Sequence, residues 1–237
     1  MQTIELRKID FSCEDMLRDV KAKRRREPTA AMLRAARAAY GEGLSLIELR
    51  AALEFYPKVD VDGEHLVIAV GDTEEKIYIG PRAGILTPAQ EIVIAISTAG
   101  KAIADAIHRY SDSGDGMTAY YLDLFGVTAL SELSDAVRKQ VGDYAHSKSW
   151  GAGPSMQPGS VKGWEVRGQR DLYRLGRGDM LGLSINGASM LVPHISSSML
   201  IGIGAHYAGH NVGSLCHECD RYDSCLWRRE NVKQETI

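Results

Sequence analysis

The chain has 237 residues, 44% of them hydrophobic and 25% charged, with 28 basic and 31 acidic side chains and a formal net charge of −3. This composition excludes a disordered tail, a collagen-like fibre and a disulfide-stapled miniprotein, and a chain of this length can bury roughly 70–75% of its unfolded surface. The near-balanced charge gives no drive toward nucleic acid, and no apolar stretch reaches the roughly 20 residues of a membrane-spanning helix. The amino terminus lacks the layout of a signal peptide, so a cytoplasmic, reducing location is expected, where thiols stay reduced or bind metal.

In chain order, Thr3–Ile9 alternates as a strand does, and Asp10 or Ser12 is placed to cap a helix from Cys13 to Arg26. The basic run Lys21–Arg26 suits the negative end of that helix and lacks the aromatic support of a nucleic-acid patch. Pro28 opens a helix over Thr29–Tyr40 that Gly41 and Gly43 should stop, and a second helix is expected over Leu44–Phe55, ending at Pro57. His65–Val70 and Lys76–Ile79 read as a hairpin. A long helical section is expected from Pro88 to Tyr110, with Ile92, Ile96, Ile103 and Ile107 at helical spacing. Ser111–Gly116 breaks it; there Asp112 and Asp115 suit helix capping better than acid–base catalysis. Another helix follows over Met117–His146, bent near Gly126. After the loop Gly151–Gly163 come a short helix, Gly168–Leu175, and two strands, Leu181–Ile185 and Ser198–Ile203. Helices grouped between strands, with no repeated βα unit, predict an α+β fold.

Two features carry chemistry. The first is the carboxy-terminal series His206, His210, Cys216, His217, Cys219 and Cys225, three cysteines and three histidines within twenty residues. Cys216 and Cys219, separated by two residues, can grip one soft metal, and Cys225 supplies a third thiolate, so zinc or an iron–sulfur cluster fits. Cys13 stands apart, and no glutamate lies between His206 and His210 to support metalloprotease chemistry. His194, after Pro193, is expected to be semi-buried and hydrogen-bonded, not a ligand. The second feature is the loop Gly151–Gly163, where Gly and Pro allow close backbone approach and Trp150 and Trp164 offer flat surfaces for a ligand. There is no nucleophile elbow, and the Gly176-Arg177-Gly178 and Gly202-Ile203-Gly204 fragments do not complete a phosphate loop.

Several segments, in order, resemble a known family. They are Ile92–Ile107, which looks like its apolar helix, then Tyr121–Ala129, Pro158-Gly159, Gln169–Tyr173, Leu181–Ser184 and Met190–Ser198. Together they resemble the activation domain of cobalamin-dependent methionine synthase, in its stand-alone, corrinoid-associated form with a terminal cysteine motif. The resemblance implies an α+β domain of crescent or helmet shape, an antiparallel sheet with helices. It divides the chain into an N-terminal part (1–84), an activation-domain-like core (85–205) and a Cys/His-rich metal-binding tail (206–237). It implies a cytoplasmic protein assisting reductive activation of, or methyl transfer to or from, a partner corrinoid protein or corrinoid methyltransferase. In the family S-adenosylmethionine supplies the methyl group. The family's ligand-loop arginine and tyrosine fall on Ser155 and Ser160, beside Pro158 and Gly159, and its Thr-Glu-Ser falls on Asn186-Gly187-Ala188. Of that ligand loop only Gly159 is kept, so groups that would bind the donor's carboxylate and positive charge are replaced, leaving Trp164 and Asn186 as candidates for another ligand. The terminal motif implies an iron–sulfur cluster ahead of zinc. The alternative is a non-catalytic, metal-stabilised binding module whose ligand groove is vestigial.

Overall fold

The apolar stretch that begins at Glu91 is a strand and not the start of a helix. In this computed structural model, which describes residues 1–17 and 27–219 together with 222, 223 and 225, the first elements are β1 (Gln2–Leu6), α1 (Ala30–Leu46), β2 (Leu49–Asp62), β3 (His65–Val70) and β4 (Thr73–Tyr78). Then follow β5 (Glu91–Thr98), α2 (Lys101–Asp112), α3 (Gly116–Ser147), β6 (Gly151–Ala152), α4 (Gln169–Leu175), β7 (Ser184–Ile185), β8 (Leu191–Val192) and β9 (Ser196–Gly204). A helical turn begins at Cys13 as expected; the basic run Lys21–Arg26 lies outside the described residues.

Seven strands form one antiparallel sheet in the order β4-β3-β2-β5-β9-β6, with β1 beside β2. β5 pairs with β2 from Arg50↔Thr98 to Pro57↔Glu91, and with β9 from Glu91↔Ile203 to Thr98↔Ser196. The stretches 1–84 and 85–205 therefore both give strands to this sheet. β2 serves two neighbours on its other side, β1 along its first half and β3 beyond an irregularity at Lys58/Asp60.

Both faces of the sheet are covered. Val93 and Ala95 face a core shared with α1, α2 and α3, while Ile92, Ile94 and Ile96 face a second core containing Leu66, Ile77, Trp164 and Leu172. Residues 92–98 are all buried, which removes the polar alternation that would mark a strand in the sequence. The same cause explains β2, where a helix was expected over Leu44–Phe55. Leu49, Ala51 and Leu53 enter one core and Ala52 the other, so tertiary pairing overrides the helical preference of Ala, Leu and Glu.

α1 continues through Gly41 and Gly43 to Leu46 instead of stopping. Gly43 is there for space: a Cβ on it would lie 2.4 Å from Phe125 Cδ1, at the crossing of α1 and α3. α3 is likewise continuous past Gly126, against which Ile195 packs; a Cβ there would lie 2.5 Å from Ile195 Cδ1. Asp115 does cap α3, its carboxylate accepting from the Thr118 backbone N–H (3.0 Å) and the Thr118 hydroxyl (2.7 Å). Of the strand expected over Leu181–Ile185, only Ser184–Ile185 pairs, as a separate ribbon with β8, because Gly178–Leu181 forms a 3₁₀ turn. The helix after Gly168 and the strand after Ser196 lie where the sequence places them.

Two glycine substitutions separate space from propensity. Gly41→Ala meets nothing within 4 Å and is expected to stabilise the protein by about 0.5–1 kcal/mol. Gly43→Ala should destabilise it by about 1–3 kcal/mol, both read from urea denaturation midpoints. The Thr118 backbone hydrogen bond, then its hydroxyl, holds the Asp115 carboxyl below its ordinary value of 3.8. Its stabilisation is present above that ordinary value and is lost as pH falls through the lower folded one. Asp115→Asn should therefore flatten the acid limb of a stability–pH profile.

Candidate functional site

The loop after α3 is bound down along its length. Met156 and Leu200 exchange backbone hydrogen bonds of 2.8 and 2.9 Å, which tie the loop to β9. Gln157 O accepts from the N–H groups of Ser160 (3.1 Å) and Val161 (3.2 Å), closing a turn over Pro158 and Gly159. Gly159 has φ +78°, a left-handed conformation that suits glycine, and its N–H donates to Trp164 O at 2.7 Å.

The chain leaving β9 runs back along this loop. Tyr207 is the anchor: its hydroxyl donates to Ile85 O at 2.9 Å, and burial pushes its phenol pKa well up. Its phenol rests against two glycines: a Cβ at Gly153 would lie 2.8 Å from Tyr207 Cε1 and one at Gly202 2.5 Å from its hydroxyl, while Gly151 makes room for its backbone, where a Cβ would lie 2.3 Å from the Tyr207 carbonyl oxygen. Beyond it, Gly209 O accepts from Ala152 N–H (2.7 Å) and Gly213 O from Ser155 N–H (3.0 Å), with Ser155 and Ser214 in a parallel bridge. A 3₁₀ turn at Cys216–Glu218 then delivers the cysteines.

Between loop, tail and α3 lies a cleft of about 300 Å³, at the lower end of small-molecule sites. α3 contributes Ser131, Ser134 and Arg138, which helical periodicity places on one face. The loop contributes Ser155, Gln157, Ser160 and Val161; the tail contributes Cys216, Cys219 and Cys225 together with Tyr222. Arg138 is only 11% exposed and its guanidinium meets Asp135 at 3.1 Å. No cysteine is in a disulfide, and all three tail cysteines are half-buried. Among the described residues, no group of three or more His, Cys, Asp or Glu side chains stands ready to hold a metal ion.

The structure thus brings Ser155, Ser160 and the three tail cysteines together, and separates other candidates from them. Trp164 is 1% exposed in the second core, so its ring is a packing element and not a face offered to a ligand. Trp150 is covered by Lys148, whose Nζ sits 4.6 Å from the ring centroid. Pro158 is buried behind the turn, while Gly159 is exposed on it. Asn186 lies in the β7–β8 turn, its Oδ1 accepting from the N–H groups of Ala188 and Met190, both at 3.0 Å. Cys13 is buried in the helix-side core. His206 and His210 are exposed, off any helix and outside the cleft lining, with the His210 ring against His146 (centroids 4.7 Å apart). His194 does hydrogen-bond, to Asp123 at 2.9 Å, but at 46% side-chain exposure it is a surface residue. Sequence reasoning missed Ser131, Ser134 and Arg138; their shared helical face, at spacings of three and four, was the available signal.

No family model and no curated protein matches the sequence. Among solved structures, a crystal structure of a MetH reactivation domain bound to AdoHcy matches over 92% of this chain and 82% of that chain, with a TM-score of 0.57 and 13% identity. The chain has the fold of the MetH reactivation domain. That coverage of 92% of the chain is a longer stretch than residues 85–205 alone. One expected correspondence is redrawn. Ile92–Ile107, read as one apolar helix, is β5, a Gly100 turn and the first half of α2. Among the described residues no helix is long and apolar enough to cross a membrane.

Placing Trp164 in the core rather than on the ligand surface predicts a large penalty for removing it. Trp164→Ala is expected to cost about 3–5 kcal/mol in urea denaturation.

Proposed function

We propose that this protein assists reductive activation of, or methyl transfer to or from, a partner corrinoid protein. The observation that carries this reading is the reactivation-domain fold over 92% of the chain. The ordered motifs that resemble the activation domain of cobalamin-dependent methionine synthase support it. The physical task of such a domain is to trap a rarely populated reduced cobalt, and a partner that binds or consumes that state shifts the population toward it.

The neighbouring structure is bound to AdoHcy, whereas this chain has Ser155 and Ser160 where the family's arginine and tyrosine are expected. Serine hydroxyls do not replace a bidentate guanidinium on a carboxylate. Among the described lining residues Arg138 is the only cation, and it already meets Asp135. The reading therefore favours docking and activation of the corrinoid partner over tight binding of S-adenosylmethionine. A metal-stabilised binding module without catalysis is the second reading, favoured by the three cysteines along the cleft.

The test uses the purified full chain and a corrinoid protein in the cob(II)alamin state. Co-elution on size exclusion, and faster loss of the cob(II)alamin spectrum under a low-potential reductant, are expected when the chain is added. Failure to associate with corrinoid proteins or free cobalamin would remove the reading. Calorimetric titration with S-adenosylmethionine is expected to give no saturable heat; a saturable heat would restore direct methyl donation.

A further inference from the structure

We infer that two copies of the chain pair through the open edge of β1, strand against antiparallel strand, about a two-fold axis at Leu6. One side of β2 is shared: β1 lies opposite Leu49–Leu53, and β3 lies opposite the stretch from Lys58 to Asp62. Among the described residues no strand pairs with the other edge of β1, and residues 2–8 make no backbone–backbone hydrogen bond outside their ladder with β2. Every second residue of an antiparallel strand turns its N–H and C=O away from its partner, so this edge presents a row of donors and acceptors. By contrast β4, the outer strand beside β3, uses its charges within the chain, Lys76 on Asp62 and Glu75 on Arg174.

The occupant follows from the side chains along the edge. A groove of about 750 Å³ lies between the end of β1 and the end of α1, with Leu6, Ile9, Leu44 and Ile47 in its lining. Leu44 is 49% exposed there. Ile4 and Leu6 pack on the helix-side core, and alternation puts Thr3, Glu5 and Arg7 on the opposite face. Glu5 and Arg7 are 61% and 84% exposed, and Arg7 Nε meets Glu5 Oε1 at 3.4 Å. A two-fold axis perpendicular to the sheet keeps like faces together, so the registers differ only in the residue on the axis. With Glu5 on the axis the two carboxylates oppose each other, and with Arg7 the two guanidiniums do. With Ile4 there, Glu5 meets Thr3. Leu6 is the one position that sets Glu5 of each copy opposite Arg7 of the other, twice over, while the two Leu6 side chains meet beside the groove. This register also carries the second copy away from β3, because β1 runs from beside Leu53 to beside Leu49. The strand that this edge matches is a reversed copy of itself.

The experiment is sedimentation velocity of the full chain from micromolar to millimolar concentration, where a monomer–dimer equilibrium is expected. Glu5→Arg and Arg7→Glu each place like charges opposite one another at both ends of the pairing. Each should weaken the dimer roughly tenfold or more, with far-UV circular dichroism unchanged because both side chains are exposed. The double variant restores both ion pairs and should recover the dimer. The two single variants, mixed, should form a heterodimer tighter than either variant's self-association. Hydrogen exchange across residues 2–8 should slow as the protein is concentrated. A chain that stays monomeric throughout overturns the proposal and leaves the edge to a strand of another protein. A dimer indifferent to both single reversals overturns it as well, placing the interface elsewhere. The corrinoid reading stands or falls separately from either result.

Discussion

The architecture depends on β5 being covered on both faces and paired along both edges. A strand whose residues 92–98 are all buried needs a layer on each side. α1, α2 and α3 supply one; the β3–β4 hairpin, the Trp164 region and α4 supply the other. With β2 and β9 holding its edges, β5 fixes the spacing of both layers, and a one-residue slip would exchange Val93 and Ala95 with the isoleucines of the opposite face. Such a register is strongly specified.

The functional surface grows from the outer edge of that arrangement. β9 takes β5 on one side and, on the other, the short strand β6 and Met156 of the loop. The loop is thus an extension of the sheet, which explains how a segment rich in glycine and proline keeps a defined shape. The tail adds to the loop in turn, so the cysteines hang from a series of pairings that begins in the core. α3 closes the cleft from the side, its apolar face held in the core while Ser131, Ser134 and Arg138 reach the edge.

Much of this was legible in the sequence where one face of an element meets water. The hairpin of β3 and β4, the helix at Gln169 and the cap at Asp115 all carry local signals. β2 and β5 were illegible because burial on both faces erases the two-residue period, leaving runs that suit a helix equally well. Gly41 and Gly43 read as a stop, yet Gly43 answers a steric demand made by Phe125, far away in the chain. Trp164 looked like a ligand surface for a related reason: a loop that sends its tryptophan into a core is indistinguishable, residue by residue, from one that displays it. Asn186, a candidate for another ligand, shapes the β7–β8 turn through its Oδ1, a common use of asparagine beside glycine. The convergence of Ser131, Ser134 and Arg138 with Cys216, Cys219 and Cys225 required the fold, since the two groups are far apart in the chain.

The slot that receives Tyr207 has a geometric consequence for everything beyond it. Gly153 belongs to the loop and Gly202 to β9, so one ring is clasped by two segments that lie side by side, while Gly151 of β6 leaves room for the Tyr207 carbonyl. The tail leaves β9 directly past that clasp, so its exit direction is set there. The thiols of the cleft are in this sense aimed from a distance, by a fit between a phenol and two absent side chains that contains no sulfur at all.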